Sequence, residues 1–378
     1  MKALFISPEP PYPANGGGAI RSACMLEWLA RRAAVNALVC GEPESRVREI
    51  CRRVEVVQLP HHSKGLAARV WRNLGRALRG VPPLVDRFSG SEIQQALDRL
   101  LEDGPFDAAI FEHFWMAPWI HLVRPRCQIA ILDLHNREAD FCRAMGGPLS
   151  SWFARCAERW ERDLLPEFDQ VWDPRAVPTG LPWRYENQNV RTFDLAFSAS
   201  WDYPPNQEAA RWFFRRVWPQ IVVRRPETKI VLIGKEDRYL PRSIRSDSRV
   251  TITGPVESST TWLEMASVAV APLRRGAGVS VKIAEAWRAG CAVVATSVGA
   301  RGYLPGDGLV GPAMMIADDP SEFASAVSGL LLDAGRRQQL AKAGRRRFEQ
   351  EYCWSVVHER LDRLAPELAN LSNDEVLR

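Results

Sequence analysis

The chain has 378 residues, 46% hydrophobic and 25% charged, with a formal net charge of +5. That length suits two domains better than one core, and the composition is that of a soluble globular protein rather than a disordered or fibrous one. No run of apolar residues is long enough to span a membrane, and eight scattered cysteines without a CxxC pair or a His/Cys cluster point away from structural zinc and towards reduced thiols in the cytoplasm.

In chain order, "KALFIS" reads as a buried strand, and the prolines of "PEPPYPANGGG" follow too soon for a secretory leader. Ala19 to Ala33 carries Ile20, Ala23, Cys24, Leu26, Leu29 and Ala30 at helical spacing. "VNALVCG" and "VEVVQLP" are further strands. "SKGLAARVWRNLGRALRG" is a basic amphipathic helix, with Leu66, Val70, Trp71, Leu74 and Leu78 on one face and Lys64, Arg69, Arg72, Arg76 and Arg79 mainly on the other. Its plain reading is a charged face in water; its functional reading is contact with an anionic membrane surface. Nucleic-acid binding has neither a fold motif nor a large enough charge behind it. "DAAIFEHF" and "QIAILDLHN" are strands that end in polar residues.

From about Trp172 the periodicity stops, and residues 173–190 read as a proline-rich linker. A second alternating series follows: "FDLAFSAS", a helix from Asn206 to Arg224, "KIVLIG", "VTITG", "VAVAPL", "CAVVATS" and "AMMIAD", with helix throughout from about Pro320. Strands alternating with helices predict an α/β protein with doubly wound, mostly parallel sheets, one in residues 1–172 and one in 191–345, followed by helices over 346–378.

Ligands of open parallel sheets bind at the carboxyl ends of strands, so the polar residues there are the candidates. "NGGGA" (residues 15–19) opens a helix with three glycines, where backbone N–H groups and the helix dipole suit an anion or hydroxyl-rich group; the alternative is a tight turn. It is no dinucleotide fingerprint, because Arg21 stands where the third glycine belongs. His113 in "EHF" and His135 in "DLHNRE" follow two strands of one half. Each is either a hydrogen-bonded structural residue or a contact to ligand hydroxyls; metal binding fits the residue types, but no HxH or HxxxH spacing supports it.

The stretch "APLRRGAGVSVKIAEAWRAG" places Arg274, Gly276 and Gly278 before a helix starting near Val279, with Lys282 in its first turn and Glu285 three residues on. A cation there opposes the helix dipole, which makes sense where a pyrophosphate compensates: two unit charges about 4 Å apart are worth roughly 4 kcal/mol at an effective dielectric of 20. The plain alternative is a surface salt bridge of about 0–1 kcal/mol.

With these residues in place the chain resembles a glycosyltransferase of the GT-B fold, family 4, the retaining glycosyltransferase group 1. "ISPEPPYPANGGGAIR", "LDLHNREADF", "FSASWDYPPNQEAARWFFRRVWPQI" with "IVLIGK", and "APLRRGAGVSVKIAEAWRAGCAVVATSVGARG" carry the likeness, in order and over most of the chain. The resemblance implies two Rossmann-like domains facing across a cleft, an N-terminal one for the acceptor and a C-terminal one for a nucleotide-diphospho-sugar. It also implies a final helix that crosses back to the N-terminal domain. Glu285 matches the family's ribose-binding glutamate, Arg274 and Lys282 the basic positions at the diphosphate, and His135 the histidine near the transferred sugar. Gly276 and Gly278 flank the donor, Gly17 and Gly18 belong to the loop near its phosphate, and Asn15, Gly16 and His113 fall on the acceptor side. No metal and no cofactor are expected. The implied acceptor is a glycan, a lipid-linked sugar or a small molecule, and the implied location is cytoplasmic, at the inner face of the plasma membrane.

Three departures stand out. The family usually carries a second glutamate eight residues before Glu285, where Ala277 stands here. The Arg and Lys common after the first strand of the second domain are replaced by "SASWDYPPN". The segment before the "VPTG" turn, Val177 to Gly180, is short. They leave two alternatives beside an active transferase: a catalytically silent nucleotide-sugar-binding partner and a GT-B sugar-nucleotide epimerase.

Overall fold

The computed structural model describes residues 1–60, 65–182, 190–303 and 313–369. The chain divides into two units, Met1–Gly180 together with the segment from Val357 onward, and Leu181–Val356. In the first unit the apolar runs become β1 (Lys2–Ser7), β2 (Ala34–Cys40), β3 (Arg53–Val57), β4 (Phe106–Glu112), β5 (Cys127–Asp133) and β6 (Gln170–Trp172). They form one parallel sheet in the order β3-β2-β1-β4-β5-β6. Both faces of such a sheet are covered, which is why β1 is buried from Ala3 to Ser7 and reads as an unbroken apolar run. β6 was not foreseen, because three residues carry no periodicity to detect.

The helix Gly17–Ala30 returns from β1 to β2 and is buried from Ala19 to Leu29. Residues from the last helices close over it: the Trp28 indole N–H donates to Asp362 Oδ1 (2.9 Å), and His358 Nε2 lies 3.1 Å from the Cys24 carbonyl. The described part of the predicted linker, residues 173–182, is packed rather than loose. Asp173 accepts the N–H groups of Arg175 (2.8 Å) and Ala176 (2.9 Å), Val177 is fully buried, and Leu181 N–H donates to the Tyr352 carbonyl (2.9 Å). Residues 183–189 lie outside the described residues.

The second unit repeats the plan with β7 (Phe193–Ser198), β8 (Ile230–Ile233), β9 (Val250–Ile252), β10 (Ala266–Ala271), β11 (Ala292–Ala295) and β12 (Met315–Ile316). Its parallel sheet runs β12-β11-β10-β7-β8-β9. In each unit, then, the first strand is flanked by the second and the fourth, the order of a doubly wound nucleotide-binding fold. Each sheet has its switch point at the carboxyl ends of its first and fourth strands. The predicted helix 206–224 is realised as Pro204–Trp212 and Trp218–Arg224 with a π-turn, Phe213–Val217, between them. Pro219 has no N–H to give to the preceding turn, and the widened turn absorbs that loss.

One expectation reverses. The basic amphipathic segment is helical over Leu66–Arg79, but its apolar stripe faces solvent: Val70, Trp71, Leu74 and Leu78 are exposed, while Arg76 is buried against Asp86. Lys64 lies outside the described residues. Among the described residues no helix is long and apolar enough to cross a membrane, and all eight cysteines are free thiols.

Candidate functional site

Strand register builds the polar centre of the first unit. β4 and β5 are parallel and pair Glu112 with Asp133, so two buried carboxylates end adjacent strands side by side. Such a pair must find positive charge or protons. Arg21, in the second turn of the helix Gly17–Ala30, supplies the charge: it donates from Nε to Asp133 Oδ2 (2.7 Å) and from a terminal nitrogen to Asp133 Oδ1 (2.5 Å), and also to the Val177 carbonyl (2.6 Å). Both partners are essentially inaccessible, at 1% and 0% exposure. Ser22 Oγ donates to Glu112 Oε2 (2.6 Å), and His135 Nε2 lies 2.8 Å from the same oxygen. Burial pushes the Glu112 carboxyl up to about 7, against the pull of Ser22, His113 and Arg21. Burial, aided by His113, holds His135 well below its ordinary value, so its imidazole is neutral.

His113 leaves β4 in a left-handed backbone conformation, φ 61°, which carries its ring onto that of His135. The ring centroids are 3.5 Å apart. Trp115 stacks on the other side of His113 at 4.1 Å. His113 Nε2 also faces Glu9 Oε1 (3.4 Å), and this carboxylate lies against Gly18: a Cβ at Gly18 would fall 1.9 Å from it. Asn15, Gly16 and Gly17 are exposed at the helix N-terminus, with no side-chain cap. The sequence thus locates His113, His135 and the glycine loop at one sheet edge. It does not reveal Arg21, which serves the carboxylates rather than replacing a glycine. The signal was there: an arginine in a helix that is otherwise mostly apolar.

Glu112, Asp133 and His135 offer ligand atoms that all lie within 4.8 Å of one another, a grouping able to hold a cation. Three of the four carboxylate oxygens are already committed, while Glu112 Oε1, also buried, has no hydrogen-bond partner among the described residues. Arg21 takes both Asp133 oxygens, and Ser22 and His135 share Glu112 Oε2.

In the second unit, β10 ends at Ala271 and the loop Pro272–Val281 leads to a short helix, Lys282–Arg288. Two glycines shape the loop: Gly276 (φ 153°) and Gly278 (φ 69°) both have positive φ. Arg301 donates to the Gly276 carbonyl (3.1 Å), and the Tyr203 hydroxyl is hydrogen-bonded to the Ala277 backbone. Gly299 is packed so closely on Ala271 that a Cβ would meet its carbonyl oxygen at 2.3 Å.

Lys282 is the first residue of the helix rather than part of a turn begun at Val279. It lines a small pocket with Ser198 and Ala271, at the carboxyl ends of β7 and β10. Among the described residues its ammonium has no hydrogen bond or ion pair, and burial lowers its pKa. Glu285, one turn on, is 8% exposed and accepts the Ser259 hydroxyl at 2.5 Å. The two basic residues of the loop go elsewhere: the Arg274 guanidinium is 5.7 Å from the centroid of the Trp212 ring, and Arg275 pairs with Glu208. Ser198 and Ser259 escaped sequence reading because nothing in their neighbourhood marks a serine that tertiary packing brings to Lys282 or Glu285.

Comparison with known proteins agrees with this plan. The thermophile Thermosynechococcus elongatus sucrose-phosphate synthase superposes with a TM-score of 0.69 at 14% identity, covering 97% of this chain and 99% of that one. Anabaena HepE, solved with UDP and glucose, gives a TM-score of 0.63 at 12% identity over 97% of this chain and 100% of that one. A 44.6 kDa protein of the cps region of Klebsiella pneumoniae is 20% identical over 364 residues, 86% of this chain and 90% of its own length. The fold is that of the GT-B glycosyltransferases, two Rossmann-like units each with a six-stranded parallel sheet. Over residues 192–333 the chain matches the family described as Glycosyl transferases group 1, and that match together with the fold supports a glycosyl-transferring enzyme.

Proposed function

We propose that the protein is a retaining glycosyltransferase, of family 4, that moves a sugar from a nucleotide-diphospho-sugar to a hydroxyl acceptor. The observation that carries this is the Lys282 ammonium. It stands part-buried at the sheet's switch point and at a helix N-terminus, desolvated by its surroundings, with Glu285 as the opposite charge acting on it and no direct ion pair among the described residues. A desolvated cation without a direct ion pair is costly, and an anion bound there during function offsets that cost. Glu285, on the helix of Lys282 and oriented by Ser259 of the helix Ser259–Glu264, is suited to accept ribose hydroxyls.

In this reading the bond between the anomeric carbon and the diphosphate oxygen breaks, and charge grows on the leaving group. Lys282, Arg274 once it swings from Trp212, and the backbone N–H groups around Gly276 and Gly278 stabilise that charge. The acceptor hydroxyl attacks from the leaving-group side and gives its proton to a leaving phosphate oxygen, so configuration is retained. No protein nucleophile is used, and this reading assigns no step to a metal or cofactor. Within the first unit, His135, neutral and held by Glu112, is suited to contact sugar hydroxyls, and His113, Asn15 and Gly16 to contact an acceptor. Transfer to a glycan, glycolipid or small metabolite fits such an arrangement, and UDP-sugars are the first donors to test, given the ligands of Anabaena HepE.

Ala277 favours a second reading, a nucleotide-sugar-binding partner without turnover, because no carboxylate stands there to hold the sugar. One experiment separates the two. The protein is titrated with a panel of nucleotide sugars, and nucleotide release is followed with a broad set of acceptors. Binding with acceptor-dependent release supports transfer; binding without release across the panel supports the silent partner; absence of binding by the folded protein removes both.

A further inference from the structure

The helix Leu66–Arg79 is amphipathic in the wrong sense for a helix that rests on its own protein. Surface helices turn their apolar stripe inward because water disfavours apolar area. Here Val70 is 56% exposed, Trp71 73%, Leu74 42% and Leu78 81%. Residues 70, 74 and 78 recur at i, i+4 and i+8, and residue 71 joins them in an arc of about 100°. What faces inward instead is small or charged: Ala77 packs on the helix pair Glu138–Met145 and Ser150–Leu164, and Arg76 is buried with Asp86. The apolar surface continues onto the neighbouring helix, where Trp152, 43% exposed, donates its indole N–H to the Ala77 carbonyl (3.2 Å).

The charged residues of this helix are of one sign. The helix carries Arg69, Arg72, Arg76 and Arg79 and no acidic residue. Arg76 and Arg79 share a single carboxylate, Asp86, and the Arg155 guanidinium lies 5.5 Å from the Trp152 ring centroid. An apolar stripe with a tryptophan, flanked by arginines, complements one kind of surface: a lipid layer with anionic headgroups, where the rings and leucines enter the acyl boundary and the guanidinium groups stay at the phosphates. A second copy of the chain fits poorly. Across a twofold axis this helix would meet itself, arginines against arginines.

We infer that the exposed face of the helix Leu66–Arg79, extended by Trp152, is a membrane-docking surface that inserts Trp71 and Leu78 into anionic lipid. This surface is independent of the transfer reaction, since it touches no residue of the candidate site.

The test is sedimentation of the full chain with phosphatidylcholine vesicles, with and without phosphatidylglycerol, at low and high salt. The wild type sediments with phosphatidylglycerol-containing vesicles at low salt and is only partly released by salt, because insertion of apolar side chains is not screened. Trp71→Ala combined with Leu78→Ser, both at exposed positions, lowers vesicle affinity by on the order of tenfold or more. Circular dichroism and UDP affinity stay unchanged in this variant. Arg69→Glu weakens binding at low salt and flattens its salt dependence. Absence of sedimentation with anionic vesicles at low salt overturns the inference. So does wild-type affinity in the double variant, or a wild-type dimer that the double variant dissolves without any vesicle binding. Vesicle binding by a protein that binds no nucleotide sugar would sink the proposed function and leave the docking surface standing.

Discussion

Glu112 and His135 form a buried dyad: His135 Nε2 stands 2.8 Å from Glu112 Oε2, on the oxygen that also receives the Ser22 hydroxyl at 2.6 Å. Because Nε2 is engaged, Nδ1 is the ring nitrogen left for a ligand. The register of β4 and β5 places Asp133 beside this dyad, and Arg21 neutralises it.

The dyad sets a pH dependence whose sign follows from the direction of the shift. Burial raises the Glu112 carboxyl from 4.5 to about 7, so the folded state holds this proton more tightly than the unfolded chain does. Stability contributed by Glu112 is therefore present below pH 4.5 and is lost as pH rises towards 7. Glu138, buried beneath the Trp115 indole N–H and beside Glu161, behaves the same way with a value of about 8. Glu112→Gln should keep the His135 contact and remove this slope, gaining on the order of a few kcal/mol relative to wild type between acidic and neutral pH. Thermal midpoints of both proteins across that window check it; parallel curves would show that Glu112 titrates normally.

Arg21 and Asp133 stand or fall together. Removing one partner of a buried pair strands the other charge, which typically costs about 3–5 kcal/mol. Arg21→Ala should therefore lower the unfolding free energy from denaturant titration by that amount, and Arg21→Ala with Asp133→Ala should recover part of the loss. A single variant as stable as wild type would show that the pair is dispensable.

Lys282→Met keeps the aliphatic stem and removes the buried ammonium. The unliganded protein should melt at higher temperature, because the desolvation of this charge outweighs its attraction to Glu285. Affinity for UDP should fall about ten- to a hundredfold, the worth of one charge-assisted contact. Calorimetry and thermal melts on the same samples give both numbers, and a drop in both would mean that Lys282 supports the fold rather than the donor.

Glu285→Ala should weaken UDP binding by about ten- to a hundredfold with little loss of stability. Ser259→Ala, which removes the hydroxyl that holds Glu285, should give a smaller loss in the same direction. Ala277→Glu should leave UDP affinity intact. Unchanged UDP affinity in Glu285→Ala would show that the nucleotide is bound elsewhere.

The amino-acid sequence by itself determined the strand–helix alternation, the two sheets and the loop that holds Gly276, Gly278, Lys282 and Glu285. These follow from short-range periodicity and from residue types at strand ends, which need no partner to be recognised. Tertiary structure alone decided three things. It joined Arg21 to Asp133 across more than a hundred residues, because only parallel register puts Glu112 and Asp133 at one edge. It sent Arg274 to Trp212 and Arg275 to Glu208 while leaving Lys282 at the switch point in the field of Glu285. It also turned the stripe of Val70, Trp71, Leu74 and Leu78 outward. A helical pattern states which residues share a face; whether that face meets the core or the solvent is set by what packs beneath it, and here Ala77 and the buried Arg76–Asp86 pair hold the inner side.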